Sequence, residues 1–156
     1  MALTWEESYI KIEKSCMKDK SFLDTNILVY AYDSSEKEKH SKASRLLKDL
    51  WNNQAGVLSI QVLLEFYVVV TQKVERPISS SEAKAIIEDY LSSWEVIEPR
   101  GETLLSSIEA ANKYHFHFWD AMIFVAAKEA NVIRIYTEDF QHNLEIEGTK
   151  FINPFK

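Results

Sequence analysis

Residues 21–33 read SFLDTNILVYAYD, and the order of types in this stretch decides the fold. SFL suits a short buried strand, DTN are residues that cap helices and form turns, and ILVYAYD begins a helix. A strand that runs through a capping Asp straight into a helix is the opening unit of an α/β chain. The alternation then repeats outward from it. A helix is expected over 36–53, with Ala43, Leu46, Leu47, Leu50 and Trp51 on one stripe and Lys and Glu opposite. GVLS is a strand, after which Ser59 caps a helix over 60–74. Pro77 and the SSS of 79–81 separate it from a helix over 82–94, and VIEP is the next strand. Helices over 102–114 and 119–131 follow, the second closed by Asn131, then the strands IRIYT and TKFIN. This rhythm predicts a mainly parallel sheet with helices on both faces, and such sheets bind ligands outside the carboxyl ends of their strands.

Four acids stand inside apolar surroundings: Asp24 in the opening stretch, Glu65 in VLLEFYVVV, Asp120 in HFHFWDAMIFVAA and Asp139 in IRIYTEDF. Burying an unpaired carboxylate costs several kcal/mol or forces it to take up a proton. Each has a purely structural explanation. Asp24 caps a helix, Asp120 lies in a first turn where the macrodipole favours negative charge, and Asp139 shapes the turn after its strand. Glu65 fits such explanations least, because its apolar neighbours leave its helix little exposed face. One shared cause is more economical than four separate ones. Only Arg134 supplies a basic group within these segments, so a divalent cation held by all four acids is the expected compensation.

All-carboxylate ligation selects hard, oxygen-seeking ions, so Mg²⁺ or Mn²⁺ is expected and Zn²⁺ is not. Such an ion activates water and stabilises charge on a phosphoryl group, the chemistry of phosphodiester hydrolysis. Among the histidines, His115 and His117 lack the i, i+4 spacing of a helical zinc motif, and His40 and His142 lie in polar surroundings. His117 alone is near enough to the acids in sequence to meet substrate. No glycine-rich phosphate loop is present.

The whole chain sets the bounds. Its 156 residues suit one domain, and the formal net charge of −6 argues against a broad basic nucleic-acid face. Phosphate contacts are then sought in local cations, with Lys73, Arg76, Lys128 and Arg134 the candidates, and Trp119 and Phe116, among aromatics that are mostly core, are open equally to base stacking and to dimer contacts. Cys16 has no partner cysteine, which fits a reducing compartment. The start, MALTWEESYIKIEKS, lacks the features of a secretory signal, and the longest apolar run, 62–70, is broken by Glu65 and too short to span a bilayer. A cytoplasmic protein without membrane contact is expected. Residues 1–20 read as an N-terminal extension, with Met17 a candidate initiator, and 21–156 as the folded domain.

FLDTNILVYAYD, the Glu65 helix, FWDAMIFVAAKEANVIRIYTEDF and the closing EGTKFINPF together resemble the PIN-domain ribonucleases, and most closely the VapC-like toxins of toxin–antitoxin pairs. The resemblance implies a PIN-like three-layer α/β/α domain with a mainly parallel central sheet. It implies an endoribonuclease dependent on Mg²⁺ or Mn²⁺ that cuts single-stranded or loop RNA. Asp24, Glu65, Asp120 and Asp139 match the family's acidic quartet, with Asp24 and Asp120 as direct metal ligands. Asn26 and Thr137 match the polar residues that orient those carboxylates. Homodimerisation and inhibition by a small cognate antitoxin are implied as well. Where the family pattern often has Gly after TEDF this chain has Asn143, which also accepts left-handed backbone angles.

Two other readings were open to these residues. A PIN-like module could hold RNA or a protein without cutting it. Phosphatases of the aspartyl-phosphate type want a second Asp where Asn26 stands, and receiver domains want an acidic pair and a late Lys that this chain lacks.

Overall fold

The computed structural model describes Thr4 and residues 20–156; most of the expected N-terminal extension, including Cys16 and Met17, lies outside the described residues. Chain order is β1 (Ser21–Leu23), α1 (Thr25–Tyr32), α2 (Lys37–Asn52), β2 (Gly56–Ser59), α3 (Ile60–Gln72), α4 (Ser80–Ser93), β3 (Glu95–Ile97), α5 (Gly101–Tyr114), α6 (Phe118–Glu129), β4 (Arg134–Tyr136), β5 (Glu145–Ile146) and β6 (Thr149–Ile152). The sheet runs β3-β2-β1-β4-β6-β5, parallel throughout except for β5, which pairs antiparallel with β6. Right-handed crossovers put α1 to α4 on one face and α5 and α6 on the other. Helix packing follows that division, with α1 against α2 and α3, α3 against α4, and α5 against α6. The expected mainly parallel α/β architecture is the one observed.

The core is the sheet's two apolar faces. Phe22, Leu23, Val57, Leu58, Ile135 and Phe151 supply the strands, and Ile27, Leu28, Val62, Phe66, Ala121 and Ala127 the helix stripes that cover them. Gly56 is required by contact: a Cβ there would lie 2.0 Å from Cζ3 of Trp94, so the missing side chain lets that indole lie against β2.

Several boundaries differ from expectation for local reasons. Helix α4 starts two residues before the expected 82 because Ser79 and Glu82 form a capping box. Ser79 Oγ accepts from the Glu82 amide at 3.2 Å, and Glu82 Oε2 accepts from the Ser79 amide at 2.9 Å. Helix α6 ends at Glu129, and Asn131 takes the left-handed position after it with φ of 54°. The Asn131 amide donates to Lys128 O at 3.0 Å and the Val132 amide to Ala127 O at 3.2 Å, which is a Schellman ending. Strand β5 had no sequence expectation. It forms because Glu147 and Gly148, both at positive φ, make a two-residue hairpin between Ile146 and Thr149. Glu65 is not driven inward for want of an exposed face on its helix, as the sequence suggests: Leu64 is 64% and Val68 38% exposed there.

Candidate active site

Strand β1 has neighbours on both sides reached by chain connections of opposite direction, β2 through α1 and α2, and β4 at the end of the α5–α6 crossover. The order of the sheet therefore switches between β1 and β4, which opens a crevice at their carboxyl ends. Asp24 follows β1 directly and Thr137 and Asp139 follow β4. The Asp24 amide donates to Tyr136 O at 3.0 Å, fastening the two strand ends together.

All four acids line one cleft of about 550 Å³ at this rim, along with Thr25, Asn26, Gln61 and Trp119. Four elements deliver them. Asp24 is the N-cap of α1 and its Oδ1 accepts from the Thr25 amide at 2.7 Å, so the capping explanation is true and the residue also faces the cleft. Glu65 projects from the second turn of α3, Asp120 from the first turn of α6, and Asp139 from the segment after β4.

Neutral donors hold the carboxylates. Thr137 Oγ1 donates to Asp24 Oδ2 at 2.7 Å, and Asn26 Nδ2 donates to Asp139 Oδ2 at 2.8 Å. Thr25 Oγ1 donates to Glu65 Oε2 at 2.8 Å, and Gln61 Nε2 to Glu65 Oε1 at 2.9 Å. Thr25 and Gln61 were not singled out from sequence. Gln61 had a signal, since it stands one helical turn before Glu65 on the same face; Thr25 had only its place in DTN.

The site is electrostatically strained. Burial pushes the Asp24 carboxyl up to about 7, against hydrogen bonds from Thr137 and the Thr25 amide that favour the charged form, and the charges of Asp139 and Asp120 raise it further. Asp120 is raised too, first by burial and then by Asp139, with His117 opposing and Glu65 adding to the rise. Among the described residues, no Lys or Arg forms an ion pair with any of the four.

Among the described residues, no three His, Cys, Asp or Glu side chains converge as a closed metal cage. The arrangement is an open rim of carboxylate oxygens. Such a donor set suits a hard ion that keeps part of its water shell and takes one or two carboxylates directly. Asn26 Oδ1, buried without a hydrogen-bond partner, adds an unsatisfied oxygen beside them.

The cations divide. Lys73 lines the cleft, whereas Lys128 reaches Glu147 at 3.9 Å on the hairpin and Arg134 starts β4 at the opposite end of the strand from the site. Phe116 is partly buried and packs against the core in a cluster with Tyr114, Phe124, Phe140 and Phe151, while Trp119 is open to solvent. His40 Nδ1 lies 2.9 Å from Tyr30 O and His142 Nδ1 accepts from the Asn153 amide at 3.1 Å, both structural roles.

The family model for the PIN domain matches residues 21–143. The chain belongs to the PIN domain family. Residues 144–156 lie beyond the matched span, yet they supply β5 and β6 of this PIN domain's sheet. Solved structures agree on the fold. Mycobacterium tuberculosis VapC20, described as a sarcin-ricin loop cleaving toxin, shares 17% identity at a TM-score of 0.61, covering 77% of this chain and 90% of that one. A toxin–antitoxin complex from Klebsiella pneumoniae shares 20% identity at a TM-score of 0.62, covering 86% and 98%. VapBC2 from Rickettsia felis, bound to a fragment of promoter DNA, shares 19% at 0.58, covering 84% and 96%. At these identities the likeness is one of fold. Comparison with curated proteins finds no match.

Proposed function

We propose that this PIN domain is an endoribonuclease dependent on Mg²⁺ or Mn²⁺, acting as the cytoplasmic toxin of a toxin–antitoxin pair. One observation carries the reading: Asp24, Glu65, Asp120 and Asp139, from four separate elements, line a single cleft at the switch point of the sheet, and among the described residues none of the four is ion-paired with a Lys or Arg. Asp24 and Asp120 would bind the ion, with Glu65 and Asp139 completing the acidic rim. When bound, the ion supplies an activated water and charge stabilisation at the phosphoryl group. The chain's own residues do the positioning. Thr137 and the Thr25 amide aim Asp24, Thr25 and Gln61 aim Glu65, and Asn26 aims Asp139.

The fold neighbours that are toxin–antitoxin complexes support a small antitoxin as partner. Exposed apolar side chains, Leu64 and Val68 on α3 and Leu104, Leu105 and Ile108 on α5, are surface available to that partner or to a second copy in a homodimer. Among the described residues no helix is long and apolar enough to cross a membrane.

The deciding experiment is cleavage of single-stranded RNA by the partner-free chain. Products are expected with Mg²⁺ or Mn²⁺, none with chelator, and none from Asp24→Asn, which retains the fold. The competing reading is a PIN domain that binds RNA or protein without cutting. Binding of RNA with no cleavage in either ion would establish it instead.

A further inference from the structure

Trp119 stands next to Asp120 and lines the catalytic cleft, yet its side chain is 62% exposed. Of the large apolar side chains that the described residues leave exposed, it alone lines that cleft. Exposure of a single apolar side chain is ordinary, and it is the place on the cleft wall that sets this indole apart. Its position is nevertheless set. Gln61 Nε2 donates to the Trp119 carbonyl at 3.3 Å, and the Phe118 ring meets the indole edge-on with centroids 5.3 Å apart. The same Gln61 amide holds Glu65, so one side chain ties the indole's backbone to the acidic rim.

The cleft's charge explains what such an indole would do. Lys73 is the sole Lys or Arg lining it among the described residues, and the other ionised groups there are carboxylates. Apart from a bound ion and Lys73, these walls offer a polyanion little attraction, so contact with the bases is the remaining source of affinity. Tyr30, the other aromatic residue of the cleft, is already occupied. Its hydroxyl donates to Glu138 and accepts from Lys39, Lys39 Nζ sits 4.5 Å from its ring centre, and Phe155 packs edge-on against it.

Building on the nuclease reading above, we infer that Trp119 is the base-stacking platform of the cleft, taking an unpaired base of single-stranded RNA beside the phosphodiester bond presented to Asp24 and Asp120. Stacking on an indole tolerates every base and requires the base to have left a duplex. The platform therefore selects unpaired RNA rather than a sequence, and Lys73, elsewhere on the cleft wall, is available to a phosphate of the same strand.

The test uses the full chain, free of partner, with Mn²⁺ and a short single-stranded oligoribonucleotide carrying 2-aminopurine next to its cleavage site. Trp119→Ala should raise KM about tenfold, and Trp119→Phe should restore much of the loss. Binding should quench 2-aminopurine in the wild type, much less in Trp119→Ala. An unchanged KM or an unchanged quench in Trp119→Ala overturns the platform while the nuclease stands. If that variant instead loses association between copies of the chain with KM unaltered, the indole is a protein contact and the platform is likewise overturned. A wild-type chain that cuts no RNA overturns the nuclease reading, and the quench measured on binding still decides the platform.

Discussion

Asp24 combines a cap, a buried hydrogen bond and a raised pKa in one side chain. It caps α1, receives Thr137, and is 5% exposed among other acids. Burial pushes its carboxyl up to about 7, from an ordinary value of 3.8. Between those values the folded chain holds a proton that the unfolded chain has released, so stability declines as pH rises through the interval. Above the folded pKa the metal-free protein carries the whole penalty, at most about 4 kcal/mol. Asp24→Asn removes the titration. In chelator its melting temperature should exceed that of the wild type at about pH 8, and the gap should narrow toward about pH 4. Thermal scans across that range check it; a gap independent of pH would show that Asp24 is ionised without cost. Glu65 teaches a different lesson at this scale. Its role was read from apolar neighbours that prove partly exposed, and what places it in the cleft is a pair of hydrogen bonds from Thr25 and Gln61.

At the scale of elements, the helix endings do with other residues what glycine commonly does. Helices α2, α5 and α6 are followed by Gln54, His115 and Asn131 at φ of 51°, 58° and 54°. Each ending carries the 6→1 bond of a Schellman turn: Ala55 donates to Leu50 O, Phe116 to Ala111 O and Val132 to Ala127 O. The left-handed region is costly for a residue with a Cβ, and less so for Asn. Gln54 is exposed and has no steric reason to stay, so Gln54→Gly should stabilise the fold by about 0.5–1 kcal/mol. Urea unfolding measures this, and a loss of stability would show that the Gln54 side chain contributes in the folded state. Element boundaries were legible where a residue type has one local use. Ser59 and Asn131 marked their helix ends correctly, whereas Ser79 was passed over because three serines in a row offer three possible caps. The two-residue β5 was invisible because a strand that short has no period.

For the whole molecule, the acids unite elements that are distant along the chain. Asp24 and Thr137 hydrogen-bond across 113 residues of sequence, as do Asn26 and Asp139. An ion that binds only this folded rim stabilises it by mass action, by about 2.7 kcal/mol at a hundredfold excess over its Kd. Mg²⁺ should therefore raise the melting temperature of the wild type and leave that of an Asp24→Asn, Asp120→Asn double variant nearly unmoved. Equal shifts in both proteins would place the ion elsewhere.

The order of residues alone specifies the alternation of strands and helices, and with it the parallel sheet, because short-range periodicity and caps are local properties. It also determined the four acids, because a carboxylate in an apolar run is conspicuous wherever it ends up. It took packing in three dimensions to bring those acids into one cleft, to set Thr25 and Gln61 against Glu65, and to put Lys73 rather than Lys128 or Arg134 on its wall. Those facts depend on strand order and on which end of each strand a residue occupies. Neither quantity is written in any window of neighbouring residues; both are set when distant segments pack.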